Sequence, residues 1–306
     1  MDHIIEVSGL KKSYGEIQAV KGISFFVERG KLFAFLGPNG AGKSTTIDMI
    51  CTFLQPDEGT VTVDGFLLGR DDEAIRANIG AVFQDGLLDA LLTVRENLRI
   101  RGSFYGLRGA VLDAAVRKAA DATGISELLN RPYGKLSGGQ RRRCDIARAL
   151  VHTPKILFLD EPTTGLDPQT RRSVWETVTR LQRETDMTIF LTTHYMEEAA
   201  EADYVVVIDN GVIAAKGTPT ALKESYASDK LKLHFLNAEW EKLLEWLKKQ
   251  DCEWTRQAEQ VTIRINRSFE ALPLIEACRS YITGFEVLSG TMDDAFIGIT
   301  GKELRD

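Results

Sequence analysis

A glycine-rich stretch near the amino terminus carries residue types that bind phosphate. Residues 37–44 read GPNGAGKS and fit the pattern GxxxxGK[ST] in full. Glycines let successive backbone N–H groups turn around phosphate oxygens, and a helix that follows points its positive end at the same anion. In this pattern Lys43 can bridge the β- and γ-phosphates, and the Ser44 hydroxyl can ligate magnesium. The predicted site for ATP and Mg²⁺ comprises Gly37, Pro38, Asn39, Gly40, Ala41, Gly42, Lys43, Ser44 and Thr45.

Two adjacent carboxylates follow an apolar segment farther along the chain. Ile156 to Asp160 has the composition of a buried strand, and Glu161 comes next. Asp160 can hold the magnesium directly or through water, and Glu161 can orient or deprotonate an attacking water. Two acids after a strand are more often a solvated strand end. Their position downstream of a complete phosphate loop favours the functional interpretation.

The segments on either side of the glycine-rich stretch predict the elements that position it. Lys31 to Leu36 is a short apolar run, and apolar residues between Ile47 and Leu54 fall at helical spacing. A strand that enters the loop and a helix that leaves it are the context that a phosphate site requires, which disfavours a chance glycine turn. Residues 1–30 alternate apolar and polar side chains and predict antiparallel strands.

Farther along, strand-like runs alternate with helical patterns. The runs are Ile156–Asp160 and Thr188–Thr193, and between them Asp167-Pro168 predicts a helix that starts with an N-cap and a proline. Tyr204 to Lys216 predicts a hairpin that turns at Asn210-Gly211. The alternation predicts an α/β fold whose largely parallel sheet is covered by helices on both faces.

The character of the sequence changes near Tyr226. The segments KLKLHFL, AEWEKLLEWLKKQ, VTIRINRS and ALPLIEACRSYI predict strand, helix, strand and helix in that order. The first of these helices has an apolar face, which consists of Trp240, Leu243, Leu244 and Leu247. We therefore expect one domain at residues 1–226 and a small C-terminal α+β domain at residues 227–306. The small domain is expected to regulate or stabilise subunit pairing and to contribute no catalytic group.

The composition excludes several classes of protein. The 306 residues carry a formal net charge of −6, which gives no basic footprint for nucleic acid. Four scattered cysteines suit neither a zinc site nor a disulfide framework. The most apolar segments have the length of strands and are too short to cross a bilayer. A role at a membrane would therefore require another chain to supply the spanning helices.

The segment that carries a family resemblance is LSGGQ at residues 136–140, followed by RRRCDIARAL and ILFLDEPTTGLDP. LSGGQ just upstream of such a strand is the signature of ABC ATPases, and the chain resembles them from about residue 3 to 225. The resemblance implies a P-loop NTPase core with an antiparallel β subdomain. It also implies a helical signature subdomain at about residues 89–145, where the pattern up to residue 135 is helical and rich in charge.

Four further positions match residues to which the family assigns roles. Tyr14 lies where an aromatic residue stacks on adenine, and Gln84 matches the glutamine that joins magnesium and water to the transporter contact. Asp167 lies in the loop that crosses between paired subunits, and His194 matches the switch histidine near the γ-phosphate. Taken singly, Tyr14 could be a turn tyrosine, His194 a structural histidine, and Ser137 of the signature a helix N-cap.

The signature also implies a shared site. In ABC ATPases, ATP lies between the phosphate loop of one subunit and the signature of its partner, here Ser137, Gly138, Gly139 and Gln140. Because this chain has each half once, two copies should form two complete sites. ATP would then join the copies, and its hydrolysis would release them.

Within the family, the sequence is similar to that of the daunorubicin-resistance type of drug exporter. The similarity rests on VFQDGLLDALLTVRENL, on the signature region and on the carboxy-terminal TMDDAFIGITG. It implies a cytoplasmic ATPase held on the inner face of the cell membrane by a separate permease. The alternative is a non-transport ABC ATPase that acts as a nucleotide-gated switch on a protein or nucleic-acid complex. A binding module with negligible turnover is disfavoured by the presence of Glu161 and His194.

Overall fold

Three β-sheets organise residues 2–301, the part of the chain that the structure, a computed structural model, describes. The chain divides into two units, Met1–Lys216 and Gly217–Asp306. The strands of the first unit are β1 (His3–Tyr14), β2 (Ile17–Glu28), β3 (Leu32–Leu36), β4 (Glu58–Val63), β5 (Phe66–Leu67), β6 (Ile79–Val82), β7 (Ile156–Asp160), β8 (Thr188–Thr193), β9 (Tyr204–Asp209) and β10 (Val212–Gly217). Its helices are α1 (Lys43–Ile50), α2 (Asp72–Asn78), α3 (Val94–Phe104), α4 (Gly109–Thr123), α5 (Gly138–Leu150), α6 (Pro168–Thr185) and α7 (Met196–Ala200).

The four-stranded sheet of the first unit has the order β2-β1-β4-β5, with antiparallel neighbours. In β1, Ile5 and Val7 are buried whereas Glu6 and Ser8 are exposed. This period of two places one face of the strand on the core and the other in solvent. The predicted antiparallel β subdomain is therefore confirmed.

The six-stranded sheet has the order β10-β9-β3-β8-β7-β6, and its strands from β9 to β6 are parallel neighbours. Parallel strands place their carboxyl ends, and the loops that follow, at one edge of a sheet. That edge receives the glycine-rich loop after β3, Gln84 after β6, the acid pair at the end of β7 and His194 after β8. The predicted α/β fold with a largely parallel sheet is confirmed.

An aromatic cluster fixes the strands that lead to this edge. Phe33 of β3 lies 4.9 Å from Phe190 of β8, measured between ring centroids, and Phe190 lies 5.2 Å from Phe158 of β7. Phe25 of β2 lies 5.5 Å from Phe33. All four rings are buried, and such pairs contribute about 0.5–1.5 kcal/mol each beyond area burial.

The local signals at helix and hairpin ends have mixed outcomes. Asp167 caps α6 by accepting a hydrogen bond from the backbone N–H of Thr170 at 3.0 Å, as predicted. Asn210 and Gly211 both have positive φ, 49° and 81°, which suits the turn of the β9–β10 hairpin. The helical spacing predicted as far as Leu54 is wrong beyond Ile50. Thr52 adopts a φ of 68°, and a residue in the left-handed region ends a helix.

The segment between β6 and β7 is helical, as predicted. Its helices α3, α4 and α5 pack against one another. In α4, Leu112, Val116 and Ala119 form a buried face. None of the helices within residues 2–301 combines the length and the apolar character needed to cross a bilayer.

The second unit is a small α+β structure. Its strands are β11 (Asp229–His234), β12 (Trp254–Gln257), β13 (Gln260–Ile265) and β14 (Gly284–Leu288), in the antiparallel order β12-β13-β11-β14. Its helices are α8 (Pro219–Tyr226), α9 (Trp240–Leu247), α10 (Ala271–Cys278) and α11 (Met292–Thr300). On α9, Leu243 and Leu247 are buried, and Trp240 and Leu244 are partly buried.

The division between the units differs from the predicted boundary at residues 226 and 227. It falls after Lys216, because α8 packs against α11 within the second unit. β12, β14 and α11 were not among the predicted elements. Of the predicted small domain, residues 302–306 lie outside the described range.

Candidate functional site

The phosphate loop joins β3 to α1 by a backbone that only glycine adopts easily. Gly42 directly precedes α1 and has a φ of 105°. A Cβ at this position would lie 2.6 Å from the carbonyl oxygen of Ala19, which is closer than a Cβ atom approaches a non-bonded neighbour. The Thr46 hydroxyl donates to the Gly42 carbonyl oxygen at 2.8 Å and secures the first turn of α1. The N-terminus of α1 thus faces the loop, as phosphate binding requires.

Lys43 is the charged centre of the loop and is 4% exposed. Its Nζ donates to the carbonyl oxygens of Gly37 at 2.7 Å and Pro38 at 3.2 Å. The same Nζ lies 3.2 Å from Oε1 of Glu161. The structure therefore brings together the two charged residues that the sequence analysis had placed in separate segments.

Glu161 has an unusual backbone and a charged side chain. Its φ is 46°, in the left-handed region that non-glycine residues rarely adopt. Its N–H donates to the carbonyl oxygen of Thr192 at 3.1 Å, and the Thr164 hydroxyl donates to Oε2 at 3.2 Å. Burial raises the pKa of Glu161, but the charge and hydrogen bond of Lys43 and the charge of His194 outweigh it. The net pKa lies below the ordinary value, so the side chain is a carboxylate at neutral pH.

His194 completes this cluster from the end of β8. Its Nδ1 lies 3.4 Å from Oε2 of Glu161, without the geometry of a hydrogen bond. The imidazole also packs on the ring of Tyr195, with centroids 4.1 Å apart. A ring nitrogen at this distance can form a hydrogen bond with the carboxylate after a small rotation of the side chain.

The predicted metal ligands have oxygen donors that suit Mg²⁺. Asp160 ends β7 and accepts a hydrogen bond from the Thr192 hydroxyl, and Ser44 is exposed in the first turn of α1. Burial and, to a smaller extent, the charge of Asp160 raise the pKa of Asp48 in α1. No cluster of three or more His, Cys, Asp or Glu side chains with metal-ligand geometry is found within residues 2–301. Mg²⁺ is commonly held by one or two protein oxygens together with nucleotide phosphates, and these residues fit that pattern.

The signature residues form the start of α5. Ser137 is its N-cap, and Gln140 returns the hydrogen bond in a capping box. Gly139 packs so closely on α6 that a Cβ would lie 2.3 Å from Cγ2 of Thr170, the residue whose N–H binds Asp167. Ser137 and Gly138 are exposed. Within residues 2–301, no hydrogen bond or ion pair joins residues 137–140 to the phosphate loop.

Gln84 and Tyr14 lie at the surface of the first unit. Gln84 is exposed in the loop after β6, and β6 is the parallel neighbour of β7 with its acid pair. Tyr14 is the last residue of β1 and is 51% exposed. Their proposed contacts with magnesium and adenine remain predictions.

Comparison with known proteins identifies the family. The ABC transporter family matches residues 20–164, which contain the phosphate loop, the signature and the acid pair. The chain is 36% identical over 310 residues to DrrA, the daunorubicin/doxorubicin resistance ATP-binding protein of Streptomyces peucetius. The alignment covers 99% of this chain and 94% of DrrA. The chain belongs to the ABC transporter family.

Two further comparisons define this ABC ATPase more closely. It is 37% identical over 317 residues to the Nod factor export ATP-binding protein I of Ralstonia nicotianae, covering 99% of this chain and 95% of that protein. The dimeric structure of MJ0796, a bacterial ABC transporter cassette, matches with a TM-score of 0.63 and 29% identity, covering 70% of this chain and 98% of MJ0796. The predicted family, fold class and function as an ATP-binding and ATP-hydrolysing subunit of the exporter type are confirmed.

Two buried charged residues that contact the loops of the site in this ABC ATPase were missed by the sequence analysis. Glu198 of α7 is 4% exposed and accepts hydrogen bonds from Thr163 and, at 2.7 Å, from Thr193. Burial raises the pKa of Glu198. This carboxyl group joins the loop that follows Glu161 to the end of β8. Arg142 of α5 binds the same loop at the carbonyl oxygen of Pro162, and its other contacts are described below.

Proposed function

We propose that two copies of this ABC ATPase hydrolyse ATP with Mg²⁺ at a shared interface and thereby drive a separate membrane permease that exports an antibiotic or another small molecule. The observation that carries the proposal is the convergence of Lys43, Glu161 and His194 within 3.2 and 3.4 Å at the carboxyl edge of the parallel sheet.

Each residue of the cluster has a separate task in the proposed reaction. Lys43 binds the β- and γ-phosphates and stabilises the charge that develops during transfer. Glu161, as a carboxylate, accepts a proton from the attacking water, which releases ADP and phosphate. His194 contacts the γ-phosphate and Glu161, so it senses whether that phosphate is present.

The remaining predicted residues hold the nucleotide and the metal. Bound Mg²⁺ would supply charge neutralisation at the phosphates, with Ser44, Asp160 and Gln84 as its protein ligands. Tyr14 stacks on adenine. The loop from Gly37 to Thr45 binds phosphate through backbone N–H groups, which every residue of the loop except Pro38 carries.

A second copy of the chain is the proposed partner for the signature. Ser137 and Gly138 are exposed at the start of a helix, where backbone N–H groups favour an anion. Within residues 2–301 they have no direct bond to the phosphate loop of their own chain. The solved MJ0796 cassette is dimeric, which supports the same arrangement here.

The proposed permease places the ATPase at the inner face of the cell membrane, on the cytoplasmic side. Relatives named for daunorubicin/doxorubicin resistance and for Nod factor export are 36% and 37% identical to this chain. Because nearly equal identity accompanies such different named cargoes, we assign the choice of cargo to the permease. The second unit is proposed to stabilise pairing of the ATPase subunits.

The shared interface is tested by the oligomeric state of variants. Glu161→Gln should lower turnover by about a hundred- to ten-thousand-fold while ATP still binds, because the positioned base is lost. This variant should therefore elute as a dimer from a size-exclusion column with ATP and Mg²⁺ and as a monomer with ADP. Adding Ser137→Arg should prevent the ATP-dependent dimer. A dimer that persists in Glu161→Gln/Ser137→Arg would remove the signature from the interface.

A further inference from the structure

Arg142 is a buried guanidinium in the first half of α5, the helix that begins at the signature. It is 7% exposed, whereas its neighbour Arg141 is exposed and Arg143 is half-buried. A buried arginine is costly unless its N–H groups are paired. The hydrogen-bond partners of Arg142 therefore show which part of the structure the buried guanidinium holds in place.

All the direct hydrogen-bond partners of Arg142 are backbone carbonyl oxygens beside the proposed reaction site. Nε donates to Pro162 at 2.5 Å, and Nη2 donates to Glu161 at 2.9 Å and to Asp160 at 3.3 Å. Nη1 donates to the carbonyl oxygen of Phe83, the residue before Gln84. One planar group thus joins the loop after β7 and the loop after β6 to α5.

These contacts bear directly on the strained backbone of Glu161. Its N–H is held by Thr192 at 3.1 Å, and its carbonyl oxygen is held by Arg142 at 2.9 Å. A non-glycine residue at a φ of 46° keeps that conformation only where its surroundings impose it. The two bonds fix the peptide groups on either side of Glu161 and so direct its side chain toward Lys43.

We propose that Arg142 is a positioning residue for ATP hydrolysis, which holds Glu161 and the Gln84 loop in fixed relation to the signature helix. The inference rests on the proposed role of Glu161 as the base. Arg142 itself touches no reacting atom, and it acts through the backbone of the residues that do. When the signature of α5 engages the partner's nucleotide, any displacement of the helix is transmitted through the guanidinium to both loops.

Lysine cannot replace arginine in this position. Four carbonyl oxygens on two loops require a rigid fork of five N–H donors, and an ammonium group presents three donors from a single point. Arg142→Lys therefore keeps the charge and releases some of the carbonyl oxygens. A misplacement of about 1 Å at a reacting group costs about a hundredfold in rate.

Arg148 provides a matched control on the same helix. It is 5% exposed, and its Nη2 donates to the carbonyl oxygen of Ala81 within β6 at 2.6 Å. Arg148→Lys removes a buried guanidinium of similar exposure from the same element. It leaves the backbone of Glu161 and its neighbours untouched. Any general cost of the exchange, such as a lower melting temperature, should appear in both variants.

The experiment compares steady-state ATPase kinetics and thermal melting of the full-length chain with each single substitution. Arg142→Lys should lower kcat roughly ten- to hundredfold and leave KM for ATP within about threefold, whereas Arg148→Lys should retain kcat. Arg142→Gln, which carries no charge to bury, is measured alongside and should show a loss of kcat of the same kind. If Arg142→Lys melts below the assay temperature, the kcat of Arg142→Gln tests the inference in its place.

A double substitution separates positioning from a merely structural role. In single-turnover assays on the Glu161→Gln background, Arg142→Lys should cause a clearly smaller loss than in the unaltered chain, because the part of its effect that passes through Glu161 is already gone. A multiplicative loss in that background would overturn the inference, as would equal values of kcat in Arg142→Lys and Arg148→Lys. Full turnover in Glu161→Gln alone would overturn both the role of Glu161 and this inference.

Discussion

The two units of the chain bury different kinds of side chain. In the first unit, Lys43, Arg142 and Glu198 are between 4% and 7% exposed, and all three contact the loops at one edge of the parallel sheet. Among residues 217–301, the buried side chains are all apolar, such as Leu231, Leu243 and others in the core beneath the four-stranded sheet.

This difference separates what maintains the fold from what performs the reaction. A buried ion pair is often no more stabilising than well-packed apolar side chains of the same size. Buried charges that converge on loops are therefore better explained by chemistry than by stability. In the second unit, the burial of apolar surface is enough to explain the stability of the fold. We therefore propose that residues 2–216 carry out the nucleotide chemistry and that residues 217–301 stabilise the pairing of subunits.

The largest effect is expected from removing the buried cation of the first unit. Lys43→Ala should lower turnover by about a hundred- to a thousandfold and weaken ATP binding, because the phosphates lose their charged donor. Lys31→Ala is the matched control. Lys31 lies just before β3, and its Nζ forms an exposed ion pair 3.5 Å from Asp203. Titration with a fluorescent ATP analogue and a phosphate-release assay measure both quantities. Equal effects in the two variants would contradict the assignment.

A smaller and different effect is expected in the core of the second unit. Leu243→Ala removes a fully buried side chain from α9 and should lower the free energy of unfolding of that unit by about 2–5 kcal/mol. Below its melting temperature, the variant should keep the ATP dissociation constant of the unaltered chain. Chemical denaturation followed by tryptophan fluorescence reports the loss, since Trp240, Trp246 and Trp254 pack against this core. A changed dissociation constant for ATP would show that the core of the second unit also affects nucleotide binding, which would contradict the division between the two units.

Much of the first unit could be predicted because its signals are local. The strand–loop–helix around Lys43, the N-cap at Asp167 and the Asn210-Gly211 turn depend on neighbouring residues only. The site residues from four separate strands could be grouped because parallel strands end at a common edge. The family resemblance then supplied roles that spacing alone does not give.

The rest depended on tertiary packing. The three arginines at residues 141–143 look alike in the sequence, and only the direction of α5 shows that the middle one points inward. Thr52 ends α1 in a left-handed conformation, and because it is not a glycine the sequence gives no sign of this helix end. β14 is exposed along most of its length and β12 reads WTRQ, so neither shows the alternation of a half-buried strand. The membership of α8 in the second unit follows from its contact with α11, which lies far along the chain.

Mixing two inactive variants tests the central claim, a site shared between two copies, most directly. Lys43→Ala lacks a working phosphate loop, and Ser137→Arg lacks a working signature, so each alone should hydrolyse ATP at background rate. In a mixed dimer, the intact phosphate loop of one copy faces the intact signature of the other. With random pairing at equal amounts, about a quarter of all sites are complete. Because the single arginine of a mixed dimer also weakens pairing, the phosphate-release rate should rise clearly above background, and about a quarter of the rate of the unaltered chain is the value for random pairing. A mixture that stays at background at every ratio would contradict the shared site.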